Sequence, residues 1–272
     1  MRNRLTYAAW SHARREPAFR DLYDAEGAGS VPLYAYRDLV NNVYRDPLVR
    51  PEKVEDYELG AAWRGRAASA TVNLFRMDLR DELVYAGQFN TDLGYPILGN
   101  AARSVHQGVE LGARLERSAG RNATLTLDAN TSLSDHHFVE YRERYGATPA
   151  DEVSYDGNAL GFFPAVLGNL SSRLAWNGVR LGADTRYIGR IYLDQTESSA
   201  ASIAPQTVVD ASAAFGARIA GSGIEFSLRV FNLLDRDYET GGYMDYDADG
   251  SLSPRFIPGA TRSVLGQVRV EW

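Results

Sequence analysis

Ala123-Thr124-Leu125-Thr126-Leu127-Asp128-Ala129-Asn130-Thr131-Ser132-Leu133 can keep its apolar residues together in only one conformation. Side chains of an extended strand alternate, so Ala123, Leu125, Leu127, Ala129, Thr131 and Leu133 share one face while Thr124, Thr126, Asp128, Asn130 and Ser132 share the other. A helix would not keep that period. The same alternation recurs outward in both directions. Upstream, Val109, Leu111, Ala113 and Leu115 oppose Gly108, Glu110, Gly112 and Arg114, and Tyr57, Leu59, Ala61 and Trp63 alternate with Asp56, Glu58, Gly60 and Ala62. Downstream, Val179, Leu181, Ala183 and Tyr187 oppose Arg180, Gly182, Asp184 and Arg186, and Ile224, Phe226, Leu228 and Val230 oppose Glu225, Ser227 and Arg229. The last residues, Arg262 to Trp272, repeat the pattern and stop on an aromatic side chain. A membrane interface accepts such an end, and so does a half-wet soluble sheet.

The connections separate those two readings. Arg64-Gly65-Arg66, Ser118 to Asn122, Asn177-Gly178 and Ala220 to Gly223 are short turns. They alternate with long irregular segments at Arg15–Glu52, Tyr85–Ala102, Glu140–Phe162, Asp194–Pro205 and Asp235–Thr261, and apart from Pro164, at a strand start, the prolines fall in those loops. Sorting by length to opposite ends is what transmembrane barrels show, and a β-sandwich has no reason to produce it. The expected fold is therefore all-β, an antiparallel transmembrane β-barrel portion of about 10 meandering strands with short periplasmic turns and long extracellular loops. Leu111, Leu125, Leu181, Phe226 and Val268 should face lipid, and Glu110, Asp128, Arg180, Arg229 and Arg269 the concave side.

Composition narrows the function. Cysteine is absent, which excludes disulfides, thiolate metal sites and a thiol nucleophile. A net charge of -6 argues against a nucleic-acid partner. No run approaches the roughly 18 apolar residues of a membrane helix, so any spanning must be done by strands. Met1 to Tyr7 begins like a signal peptide, but the following run is broken by polar residues; no export signal is expected.

Five stretches, in order, carry a family resemblance. Arg50-Pro51-Glu52-Lys53-Val54-Glu55-Asp56-Tyr57-Glu58-Leu59-Gly60 resembles the "Pro-Glu, then Tyr-Glu-Leu-Gly" signature in the barrel of TonB-dependent outer-membrane receptors. Ala13 to Tyr23 with Glu16-Pro17, Gly108-Val109-Glu110-Leu111, Asn232-Leu233-Leu234-Asp235, and Pro258-Gly259 to Trp272 fall in matching order. The resemblance implies that residues 1–272 are the carboxy-terminal part of such a barrel, with the plug domain, the TonB-contacting box and the first half of the barrel outside this sequence. It implies an outer-membrane receptor of a Gram-negative bacterium, in contact with lipid and, through the plug, with the TonB complex. Its function would be energised uptake of a scarce ligand such as a ferric siderophore or other iron complex; the chain alone should not transport. A structural or adhesive surface barrel that binds without transport is the other class the sequence allows.

For such a ligand, guanidinium forks and stacked rings on the long loops are the natural grip on a planar anionic chelate. The candidates are Arg20, Tyr23, Tyr34, Tyr36, Tyr141, Arg142, Tyr145 and Tyr243, although tyrosines near strand ends also form interfacial girdles. Glu110, Arg114, Arg186, Asp210 and Arg229 should form a network in the lumen that would hold the plug. Asp245-Tyr246-Asp247-Ala248-Asp249-Gly250 begins like a calcium loop, so Asp245, Asp247 and Asp249 are possible Ca2+ ligands. Phe256 stands where the bidentate acid belongs, and a solvated acidic turn is the alternative. The adjacent His136 and His137 should point to opposite faces and cannot share a site. No nucleophile, base and orienter converge on one face, so no enzymatic activity is expected.

Overall fold

The computed structural model describes residues 3–18, 22, 34–38, 40–41, 43–47, 49–90, 95–144, 152–219 and 222–272. Strand β1 (Asn3–Arg15) is followed by the hairpin β2 (Tyr34–Asp38) and β3 (Val43–Pro47), then by β4 (Glu52–Arg64), β5 (Ala68–Asn90), β6 (Tyr95–Ser118) and β7 (Ala123–Glu140). The pair β8 (Arg142–Arg144) and β9 (Glu152–Ser154) leads to β10 (Val166–Trp176) and β11 (Val179–Ile188). Next come β12 (Ile191–Tyr192) and β13 (Ser202–Ile203), then β14 (Gln206–Ile219) and β15 (Ser222–Phe231). The hairpin β16 (Glu239–Tyr246) and β17 (Leu252–Pro258) precedes β18 (Ser263–Glu271).

Ten strands run along one antiparallel meander, β1-β4-β5-β6-β7-β10-β11-β14-β15-β18. Among the described residues, β1 and β18 each pair on one side only. The expected alternation of short turns and long connections holds throughout. At the β10–β11 turn both central residues, Asn177 at φ 47° and Gly178 at φ 83°, are left-handed, the backbone that matches the twist of a two-residue hairpin.

The long connections are less irregular than their sequences suggest. Within Tyr85–Ala102, expected as a loop, the described residues are strand, with Tyr85 opposite Leu98 and, after a register shift, Asn90 opposite Tyr95. The shift between Tyr85 and Phe89 breaks any single alternation in the residue order. The other four long connections each carry a small hairpin or two-strand pair: β2–β3, β8–β9, β12–β13 and β16–β17. The last is tied to β5 by a parallel bridge, Met244 to Gln88.

Register converts the alternation into two faces. Leu125, Leu174, Leu181, Ala213, Leu228 and Gly266 form one continuous rung across six strands. On the other face Arg114, Asp128, Ser171, Asp184 and Asp210 form another. The apolar face also has a sharp upper limit. The rung Ala8–Leu59–Leu74–Val109–Leu133 is wholly aliphatic, and two residues higher stands Trp10–Tyr57–Arg76–Gln107–Asp135. Trp10 donates its indole hydrogen to Glu55 (2.9 Å), as a ring at a membrane surface does. Trp63 and Trp176 mark the lower limit beside the short turns.

Burial follows the same logic. Leu181 is 47 % exposed and Val268 60 %, although both belong to the most regular part of the sheet. The buried apolar side chains among the described residues, among them Leu83, Phe138, Leu160, Leu193 and Met244, sit instead at the long-loop end. An apolar face that wide is stable only against lipid.

Candidate functional site

The polar face is a closely paired wall. Tyr7 lies across Gly60, where any Cβ would collide with its ring, and donates to Asn73 Oδ1 (3.0 Å); Asn73 in turn donates to Glu110 (3.3 Å). Gly60 of the Tyr-Glu-Leu-Gly stretch is therefore a space requirement. Arg114 meets Asp128 (2.9 Å), and Arg173 grips both oxygens of Asp184 (2.7 and 2.8 Å). Arg180 pairs with Glu225. Asp210, 8 % exposed, lies between Arg186 (4.0 Å) and Arg229 (3.9 Å). The five charges assigned to a lumen network all stand on this wall. Cross-strand pairing of this kind fixes register as well as charge.

Asn232 closes the top of that wall. Its backbone is left-handed (φ 47°), its N–H donates to Asp210 (2.9 Å), and its side-chain amide donates to the carbonyls of Arg236 (2.9 Å) and Ala260 (3.1 Å). Its Oδ1 accepts from Arg236 N–H (3.0 Å), and Asp235 accepts from Arg262 N–H (2.9 Å). The Asn-Leu-Leu-Asp stretch thus ties the exit of β15 to the entry of β18.

Above the wall the loops pack into a cap. One cluster joins Val84, Ala101, Phe138, Tyr141, Tyr155 and Leu160; a second joins Leu193, Ala201, Ile203 and Met244, with Phe162 and Ile191 against it. Four hydrogen bonds stitch the segment before β10 to the β11–β14 connection: Asn158 Nδ2 to Gln195 O (2.8 Å), Ala159 N to Glu197 (2.7 Å), Gly161 N to Gln195 Oε1 (2.8 Å), and Phe162 N to Tyr192 O (2.8 Å).

The candidates picked from sequence divide. Tyr141 is buried, stacked on Phe138 at 4.5 Å and hydrogen-bonded to Glu143; burial first, then that carboxylate, push its phenol above the ordinary range. Its ring builds the cap. Arg142 is exposed and reaches Glu152 at 3.4 Å, and Tyr243 lies opposite Arg255 in the β16–β17 hairpin. Arg20, Tyr23, Tyr145 and the side chains of Tyr34 and Tyr36 lie outside the described residues. In the acidic turn, Asp247 accepts from Ser253, Arg255 and Ser251, which hold its carboxyl below the usual range, and Asp249 is lowered by Ser251. Arg255 also approaches Asp245 (3.8 Å). Among the described residues no group of three or more His, Asp or Glu is arranged to hold a metal.

Sequence reasoning missed one cluster. His137 does point away from His136, bonding Asp135 (3.0 Å), but His136 finds His106 across the β6–β7 ladder, Nδ1 to Nδ1 at 2.8 Å. His106 Nε2 contacts Glu82 (3.0 Å), which also accepts from Ser104, and all three of these residues are buried. Glu82 shares the face of Leu79 because Asp81, at φ 54°, interrupts the alternation between them. The signal was the register, which sequence spacing does not display.

A meander with an apolar outer face between aromatic limits, a charge-paired inner wall and a loop cap is the wall of a transmembrane β-barrel of receptor type. The chain belongs to the TonB-dependent receptors: the family described as "TonB dependent receptor-like, beta-barrel" matches residues 3–233. This is a family of receptors and transporters, not of enzymes. No curated protein matches the sequence. Among solved structures, the siderophore receptor PiuA from Acinetobacter baumannii is similar (TM-score 0.65, 16% identity, covering 99% of this chain and 34% of that one). So are the ferric yersiniabactin uptake receptor FyuA from Yersinia pestis (0.64, 18%, 98% and 34%) and the copper transporter OprC (0.63, 18%, 97% and 37%). The chain spans about a third of the length of these structures.

Proposed function

We propose that this chain is the carboxy-terminal part of an outer-membrane receptor that takes up a ferric siderophore or another small iron complex, energised by the TonB complex. The observation that carries the reading is the charge-paired inner wall beneath a built loop cap, in a chain of this family. Similar structures whose names specify a siderophore and ferric yersiniabactin support iron as cargo. Arg142 and Tyr243, with Arg20, Tyr23, Tyr34, Tyr36 and Tyr145 from the long loops, are the ligand contacts in this reading, and Tyr141 serves to build the cap. The inner-wall charges would hold the plug. The acidic turn enters as a solvated loop held by Arg255, the alternative that stood beside calcium.

The test is growth on limiting iron. A strain lacking its own receptors receives the full-length receptor containing this chain, with and without a functional TonB complex, alongside binding of ferric siderophores, haem, cobalamin and oligosaccharides. TonB-dependent growth on a ferric chelate is the expected outcome. Binding to a surface without TonB-dependent uptake would favour the adhesive class instead.

A further inference from the structure

Above the tryptophan limit, register sets cations side by side on the outer face. Arg14 lies four residues beyond Trp10 on the same face of β1. It stands opposite Lys53, Lys53 opposite Arg80, and Arg80 opposite Arg103, a single rung across β1, β4, β5 and β6. Like charges directly opposite in a sheet repel and destabilise it, and little in the protein offsets these. Among the described residues Arg14, Arg80 and Arg103 have no ion pair or side-chain hydrogen bond, and Lys53 shares Asp81 with Arg50 (3.8 and 3.9 Å). The carboxylates one rung below are taken, Glu55 by Trp10 and His12 (2.9 and 2.8 Å) and Asp78 by Arg76 (2.8 Å). Glu140, opposite Arg103 on β7, makes no ion pair with it. Four aligned cations are held here with less than one anion between them.

We propose that this rung is a docking site for the phosphorylated headgroup of a glycolipid in the outer leaflet. The proposal rests on the outer-membrane reading, and height supports it. Strands rise about 3.3 Å per residue and barrel strands tilt by about 45°, so four residues lift the rung about 9 Å above the Trp10 indole. The polar layer of a bilayer is about 5–8 Å thick on each side, and arginine and lysine stems that bend downward bring their charges into it. Guanidinium forks match phosphate oxygens two at a time. Width supports a headgroup with more than one phosphate: four strands about 4.8 Å apart spread the cations over about 14 Å, broader than one phosphate and suited to two held apart on a sugar. The seat is a groove of about 460 Å³ on this face, lined by Lys53, Arg80 and Arg103 with His12, Tyr57 and Val105.

The test uses the full-length receptor containing this chain, in micelles of a non-ionic detergent, with bound lipid counted by native mass spectrometry. The probe is lipid A, a glucosamine disaccharide lipid with two phosphates; the same lipid stripped of phosphate and inorganic phosphate alone are the other arms. Lipid A should be retained and the stripped lipid lost. Arg80→Gln and Arg103→Gln should each weaken retention about fivefold, the worth of one cation at an anionic lipid surface, and together about 25-fold. Arg121→Gln, on a short turn at the other end of the barrel, should change nothing. In lipid-free micelles the double variant should be at least as stable to urea as the parent, because it relieves repulsion. Equal retention of the stripped lipid, an unaltered affinity in the double variant, or a double variant less stable without lipid would each overturn the proposal. So would displacement of lipid A by an equal concentration of inorganic phosphate, which would make the rung a site for a soluble anion. The readout is lipid and not uptake, so this proposal can fail while iron-limited growth still supports the receptor.

Discussion

The bilayer band and the loop cap obey opposite packing rules within the same strands. In the band, Leu181 and Leu228 stand on the outside and Asp184 and Asp210 on the inside; a few residues higher, Phe138 and Leu160 are buried among the loops. What changes between them is the solvent. Burial of apolar groups means removal from water, and in the band lipid does that for the outer face, while in the cap only other loops can.

The comparison can be broken most severely in the cap. Phe138→Ala removes a fully buried ring from the centre of the first cluster and should destabilise by about 3–5 kcal/mol, read by urea unfolding of the micelle-bound chain. If the cap owed its order to the strands alone, the loss would be far smaller. In the band, Leu170→Arg should cost about 2–4 kcal/mol, as cations near the midplane of a barrel's lipid face do, because Leu170 stands opposite Ala129, midway between Ala123 and Asp135. Leu252→Arg, at a side chain 41 % exposed on the cap hairpin, should be nearly neutral in the same assay, and equal losses would show that Leu170 does not face lipid.

The seam between the regions is Asn232. Asn232→Ala leaves the buried groups it joins unpaired and strains a left-handed backbone, a loss of about 1–3 kcal/mol expected as faster exchange of the β15 and β18 amides. The smallest effect lies in the acidic turn. Asp247 and Asp249 are depressed, so what they contribute to the hairpin is present above the ordinary carboxylate value of about 4 and is lost as pH falls through their lower folded values. Their titration midpoints by NMR should lie below that value, and Arg255→Gln should raise that of Asp247.

The sequence displayed the band well and the cap poorly, for the same reason. Ala123 to Leu133 must alternate because one face meets lipid, so strand, facing and turn are all written in the residue order. The described residues of Tyr85 to Ala102 are strand as well, but their register shifts between Tyr85 and Phe89, so no single alternation runs through them. The site behaved likewise. Charges such as Glu110 and Arg229 were legible because they fall on the polar face of an alternating strand, whereas the partner of His136 is 30 residues away and becomes its neighbour only through the β6–β7 register.

The four bonds that join Asn158–Phe162 to Tyr192–Glu197 have a consequence for affinity. Two loops held separately would each surrender their own freedom when a ligand ordered them, and that loss subtracts directly from binding. Stitched through Gln195 and Glu197, they count as one body with a single set of rigid motions, so much of the entropy has been given up already in folding. Cutting the stitch with Gln195→Ala should slow nothing in the band. It should instead appear as a looser ligand whose penalty is entropic, with the measured heat of binding little changed.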